Sequence, residues 1–419
     1  MKRTIVVGCL VFVLGACSGL SPTPPPTQPV GASQSPAQSS SAAPTNPPTL
    51  AGNLTIWHTF EADSPGVARG VPEALGAALN LVRNENPQLN LTVTQVSLGE
   101  LFISYQLQAG QGSPDAVFAP NDNLGDVARA GLTTDLSGSF TGDDLSNFSP
   151  LAIDGSTIAG KLVQVPATLR TVGVYYLTDR IPVFPATTDD LLSAVQNGSI
   201  KLGLSQAMYP LFGFWGAFGG QLMDADGKCI ADTTGVDQAY AYYAALKSAG
   251  ATWYPEPDGA RMVADFDSGA VDAIIDGPWA GDGYRDAHPG TLAVAPLPAG
   301  PGGAAQPLIG VDGWVINPHS ANGALAVAFA KRMTQPDILA ILSGQAIQVP
   351  ANPNVQPSDA LAAQFATAAQ SGVPRPQMPQ LGMFWGPFGN ALNAVVDNAA
   401  DPHQSVGDAC AAMNSANGL

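Results

Sequence analysis

The sequence predicts an α/β protein of two doubly wound lobes. Three observations lead there: strand-like and helix-like segments alternate along the chain, 419 residues exceed what one ordinary core holds, and 46 Gly with 37 Pro supply frequent turns. Hydrophobic residues make up 45% and charged ones 12%, so there is apolar material for large cores. Sixteen Lys+Arg against 33 Asp+Glu give a net charge of −17, whose average field repels a phosphate backbone and excludes nucleic acid as a partner.

The elements follow in chain order. Lys2 and Arg3 precede an apolar run from Ile5 to Leu14, the layout of a secretory signal peptide over residues 1–16 and too short for a permanent membrane span. The run ends in Leu14-Gly15-Ala16-Cys17, which resembles the lipobox of bacterial lipoproteins, where cleavage leaves Cys17 as a diacylated N-terminus. Loss of Lys2 and Arg3 takes the charge from −17 to −19. Ser18 to Leu50 carries no charged residue, and its Pro22-Thr23-Pro24-Pro25-Pro26 and Ser39-Ser40-Ser41 runs bury nothing, so residues 17–50 read as a tether to a membrane surface. A Pro-rich ligand for another domain is the weaker alternative.

Leu54-Thr55-Ile56-Trp57 then reads as a strand, Val71 to Val82 as an amphipathic helix, Leu89 to Val96 as a strand, Leu98 to Ala109 as a helix and Asp115 to Phe118 as a third strand. Such βα units imply a mainly parallel sheet with ligands at the carboxyl ends of its strands. A second series has strands at Val172 to Leu177 and Lys201 to Leu204, with a helix at Thr187 to Val195 opened by a Thr-x-x-Asp cap. Gly235 to Ser248 is a helix closed by Gly250, and Val271 to Ile275 is a strand leading to Pro278, which suits a first helical turn. The last third is mostly helical. Cys9 leaves with the signal and Cys17 takes lipid, so Cys229 and Cys410 remain; outside the cytoplasm they suit a disulfide, or else two buried thiols.

Four segments together carry a resemblance. They are Leu54-Thr55-Ile56-Trp57-His58; Ser113-Pro114-Asp115-Ala116-Val117-Phe118 with Asn121-Asp122; Asp276-Gly277-Pro278-Trp279; and Met378-Pro379-Gln380 followed by Phe384-Trp385. In this order, over about Asn53 to Met413, the chain resembles the extracellular solute-binding proteins of bacterial ABC importers, of the maltose/oligosaccharide-binding type and in lipoprotein form. The resemblance implies a type II periplasmic-binding-protein fold whose lobes, 51–168 with 314–355 and 169–313 with 356–419, are joined by a hinge and close over a ligand. It also implies a monomer that needs no cofactor, serves membrane permease subunits and has no catalytic residue.

A pyranose offers an apolar face of C–H groups and a polar rim, so its receptor needs flat aromatic platforms ringed by hydrogen-bonding groups. Trp279 and Trp385 match family positions that stack on sugar rings, and are expected to grip the ligand from opposite halves. Tyr209 resembles a third aromatic contact, while Trp215 fits core packing. Asp122, with Asn121 beside it, matches a carboxylate that accepts from sugar hydroxyls; a helix N-cap is an equal alternative. Asp312-Gly313-Trp314 resembles a ligand loop, with Trp314 either there or in the core. Glu61 and Asp63 after the first strand are further acceptors, or a solvated loop.

Some positions depart from the maltose binders. Ala119 stands where they have a Trp, Asn123 where they have a basic residue, Ala207 where an acid is expected and Arg170 where a hinge carboxylate is expected, which puts maltose itself in doubt. Arg170 is either a structural ion pair or a fork for an anion, and the second would suit an acidic sugar or glycerophosphate-type ligand. The acids would also suit a glycoside hydrolase, and anchoring would suit a surface lectin. The sequence has no G-x-S-x-G, H-E-x-x-H or Walker loop and no metal motif; Asp224-Ala225-Asp226-Gly227 reads as a hairpin turn.

Overall fold

The computed structural model describes residues 49–59 and 70–419. The signal peptide, Cys17, nearly all of the tether, and Glu61 and Asp63 lie outside them. Among the described residues no helix is long and apolar enough to cross a membrane.

The strands of the two main sheets are β1 (Gly52–His58), β2 (Leu89–Gln95), β3 (Ala116–Pro120), β4 (Val165–Arg170), β5 (Gly173–Leu177) and β6 (Leu202–Gln206). They continue with β7 (Thr252–Pro255), β8 (Ala273–Asp276), β9 (Leu292–Ala295), β10 (Leu308–Ile316), β11 (Val349–Pro350) and β12 (Val373–Pro374). The larger sheet runs β11-β4-β10-β3-β1-β2, with β12 beside β10, and the smaller runs β9-β5-β8-β6-β7. In the larger sheet β1 is parallel to β2 and β3, whereas β10 is antiparallel to β3 and β4. In the smaller, β6 is parallel to β7 and β8 while β5 is antiparallel to β8 and β9. Both sheets are therefore mixed rather than mainly parallel. Strands β5 and β10 enter directly from the other sheet: β5 runs against β8 and β9, and β10 runs against β3 and β4 while lying parallel to the short β12.

The crossings position the site. Chain leaves the larger sheet after Arg170, begins β5 at Gly173, and returns between Ala295 and Leu308. A β-carbon on Gly173 would lie 2.6 Å from Val294, so the crossing packs too tightly for a side chain there. All of β10 belongs to the larger sheet and is buried end to end, as an interior strand should be. A lobe boundary at 313/314 would cut this strand, and one at 168/169 would cut β4; the crossings lie at 170–173 and 295–308. Asp312-Gly313-Trp314 is thus mid-strand rather than a loop, with Trp314 in the core, stacked on Phe118 at 4.7 Å between ring centroids.

The helices used below are α1 (Gly70–Glu85), α2 (Leu98–Gln108), α3 (Leu124–Arg129), α4 (Thr188–Gln196), α5 (Val236–Ala249), α6 (Trp385–Asn398) and α7 (Pro402–Ala416). Thr187 caps α4, its hydroxyl oxygen accepting from Asp190 N at 3.1 Å. Gly250, at φ 106°, closes α5 in the left-handed conformation. Helices α5, α6 and α7 pack together around a core that includes Trp215, Tyr243 and Phe388. Cys229 and Cys410 are bonded, tying the turn at Asp224 to α7. In that turn the Asp224 carboxylate accepts from Asp226 N and Lys228 N, both at 3.0 Å.

Candidate functional site

Several strands deliver polar or aromatic side chains to one region, mostly from their carboxyl ends. Asp122 follows β3, Arg170 ends β4, Tyr209 follows β6, Trp279 follows β8 and Arg375 follows β12, while Trp385 opens α6. Asp312 joins them from the middle of β10, opposite Thr168 of β4.

Ion pairs organise this region. Arg170 Nη2 lies 2.9 Å from Asp122 Oδ2 and its Nε lies 3.0 Å from Asp312 Oδ1. Arg375 Nη1 pairs with the other Asp122 oxygen. Two guanidiniums thus face two carboxylates, and the cluster is neutral. Burial lowers the Arg170 pKa, but Asp312 and Asp122 outweigh it and hold the guanidinium more firmly charged than usual. Asp312 is wholly buried; desolvation pushes its carboxyl up to about 6 against the pull of Arg170.

The aromatic groups flank this cluster. Trp279 and Trp385 are half-buried, and Tyr209 lies 6.0 Å from Trp279 between ring centroids. Burial pushes the Tyr209 hydroxyl up to about 12, with Arg170 opposing. The Trp279 ring folds back over Gly277, where a β-carbon would come within 2.2 Å of the ring carbons. Asp276 supports this turn: its Oδ1 accepts from Gly277 N and its Oδ2 from Tyr284 Oη, both at 2.7 Å. Desolvation raises the Asp276 carboxyl pKa, while hydrogen bonds from Tyr284, Gly277 and the Trp279 indole oppose the rise. Arg170 Cζ stands 6.0 Å from the Trp279 ring centroid, and Arg375 Cζ stands 5.2 Å from that of Trp385. A cavity of about 250 Å³ adjoins, lined by Asp122, Arg129, Arg375, Gln377, Met378 and Trp385 among others.

The structure brings Trp279, Trp385, Tyr209, Asp122, Arg170 and Asp312 into one neighbourhood. Asn121 serves otherwise: it is fully buried, donating from Nδ2 to Gly155 O at 2.8 Å and accepting at Oδ1 from Val311 N at 3.1 Å. Asp122 makes no cap for α3, whose N-cap Asn123 bonds no backbone amide through its side chain. Its carboxylate is taken by the two arginines instead. The tryptophans do not come from opposite halves. Trp279 follows a strand of the smaller sheet and Trp385 begins a helix packed on α5, whereas Asp122, Arg170 and Asp312 come from the larger sheet. Sequence reasoning missed Arg375. Its signal was a cation fixed between Pro374 and Pro376, just ahead of Met378-Pro379-Gln380, in a chain with few cations. Among the described residues no group of three or more His, Cys, Asp or Glu is placed to hold a metal ion.

The chain as a whole is similar to known proteins. A family model described as bacterial extracellular solute-binding protein matches residues 84–369. The maltotriose-binding protein of Pyrococcus abyssi is 24% identical over 379 residues, covering 82% of this chain and 78% of its own. A maltooligosaccharide ABC transporter solute-binding lipoprotein of Streptococcus pneumoniae is 24% identical over 323 residues, 71% of this chain and 74% of its own. The solved structure of the Thermus thermophilus maltotriose binding protein bound with maltotriose superposes with a TM-score of 0.70 at 26% identity. It covers 87% of this chain and 100% of that one.

Proposed function

The chain belongs to the bacterial extracellular solute-binding protein family, and from that premise we propose that it captures a neutral oligosaccharide of the maltooligosaccharide class for an ABC importer. The two sheets mark its lobes, hinged where the chain crosses between them. A ligand touching both lobes stabilises the closed arrangement by population shift, and the closed form is what the permease subunits receive. Export proceeds through the signal segment, and lipid on Cys17 holds the body at the membrane through the tether.

The observation that carries the choice of ligand is the neutral Arg/Asp cluster facing half-buried aromatic rings. A sugar needs the rings for its C–H faces and charged hydrogen-bonding groups for its hydroxyls. An anion would need an unspent cation. Arg170 is spent on Asp122 and Asp312, which weighs against an acidic sugar or glycerophosphate. The same pairing weighs against a hydrolase, because Asp312 is sealed from ligand and Asp122 is bound by two guanidiniums. Thermal-shift screening tests this reading: maltotriose should raise the melting temperature through mass action, while uronic acids and sugar phosphates should leave it unmoved. A shift with the anions alone would reverse the assignment.

A further inference from the structure

Arg375 bonds one oxygen of Asp122 while its guanidinium stands 5.2 Å from the Trp385 ring centroid. Arg170 takes the other oxygen and stands over Trp279 in the same manner. The cavity beside Trp385 is lined by Asp122 and Arg375 but not by Trp279, Tyr209 or Arg170. The Asp122–Arg375 pair therefore stands at the boundary between the two aromatic platforms, on the face of one of them.

We propose that Arg375 is the specificity-determining residue of the cleft: its guanidinium holds Asp122 and the Trp385 face, and a saccharide spanning both platforms must displace it. The displacement frees an Asp122 oxygen to accept a sugar hydroxyl and uncovers the indole for stacking, at the expense of one ion pair. Because only a saccharide that reaches both rings must displace it, Arg375 weakens the binding of long ligands and leaves shorter ones unaffected, narrowing the preference for length. Its segment does not depend on the ion pair for its place. Gly125 N donates to Gln377 Oε1 at 3.2 Å and Arg129 Nη1 donates to Gln377 O at 3.1 Å, fastening residues 375–378 to α3. A β-carbon on Gly125 would meet Gln377 O at 2.4 Å, so the two backbones are in close contact.

This inference rests on the oligosaccharide reading, and the test separates the two. Calorimetry with maltose and maltotriose is run on the full chain, on Arg375→Met, which keeps the apolar stem without the charge, and on Arg375→Lys, which keeps the charge. Arg375→Met should bind maltotriose about fivefold more tightly than wild type, the equivalent of about 1 kcal/mol for a partly buried pair, with no gain for maltose. Arg375→Lys should stay close to wild type, and a thermal melt checks that both variants fold. Weaker or unchanged maltotriose binding by a folded Arg375→Met overturns the proposal. Weakening would mean that the guanidinium itself donates to the sugar, through Nε, which has no hydrogen-bond partner among the described residues. Equal gains for both sugars would overturn the length selection. If wild type and both variants bind neither sugar, the oligosaccharide reading fails and this one with it.

Discussion

Gly277 shows how one missing side chain shapes a binding surface. Its φ of −103° is open to any residue, so glycine is needed there only because the Trp279 ring occupies the space of a β-carbon. Gly277→Ala should leave the fold intact, push the indole aside and weaken maltotriose binding by roughly tenfold, about 1.4 kcal/mol, as read by calorimetry. Unaltered affinity would mean that the ring does not touch sugar. Asp312 makes a prediction of another kind. Its folded-state carboxyl sits at about 6, above the unfolded value of 3.8, so the folded protein holds the extra proton between those values. Its contribution to stability therefore falls as pH rises from about 4 to about 6 and levels off above. Melting temperatures of wild type minus Asp312→Asn should decline across that window; a flat difference would contradict the buried, desolvated carboxyl.

At the scale of elements, the disulfide and the crossings divide the work of holding the site. Cys229–Cys410 closes a loop with a sequence separation of 181 and fixes the Asp224 turn to α7, whose partner α6 begins with Trp385. Gly227 in that turn packs against Gln380 and Met378, next to the cavity. Replacing both cysteines with serine should cost about 2–5 kcal/mol of stability, seen as a lower melting temperature under non-reducing conditions. No change on reduction or substitution would refute the bond. Element boundaries were readable because capping chemistry is local: Thr187 opens α4 and Gly250 ends α5 within a residue of expectation. The strand directions were not readable. Whether β10 lies parallel or antiparallel depends on which sheet the chain has just left, and no period in the residues records that.

The whole molecule was legible to the extent that motifs sit at the carboxyl ends of strands. Asp122 and Trp279 could be picked out because each follows a strand pattern and matches a family position, Tyr209 through the family resemblance alone, and the three do converge. What the residues could not tell is who pairs with whom. Arg170 invited an anion until Asp122 and Asp312 appeared beside it, each distant along the chain. Arg375 escaped notice because a cation between prolines resembles a solvated loop until Trp385 is found 5.2 Å away. Both tryptophans belong to the smaller-sheet side, so the proposed closure would bring the polar acceptors of the larger sheet onto rings held by the smaller. Solution scattering should accordingly show a smaller radius of gyration when maltotriose is added; identical curves with and without saturating sugar would exclude hinge closure as the response to ligand.

The most direct measurement is calorimetric titration of maltotriose into wild type, Trp279→Ala and Trp385→Ala, each verified as folded. Loss of roughly tenfold or more in affinity in each variant is the expected result, since each removes one stacking face worth on the order of 1 kcal/mol beyond its buried area. Affinity equal to wild type in both variants would contradict the account.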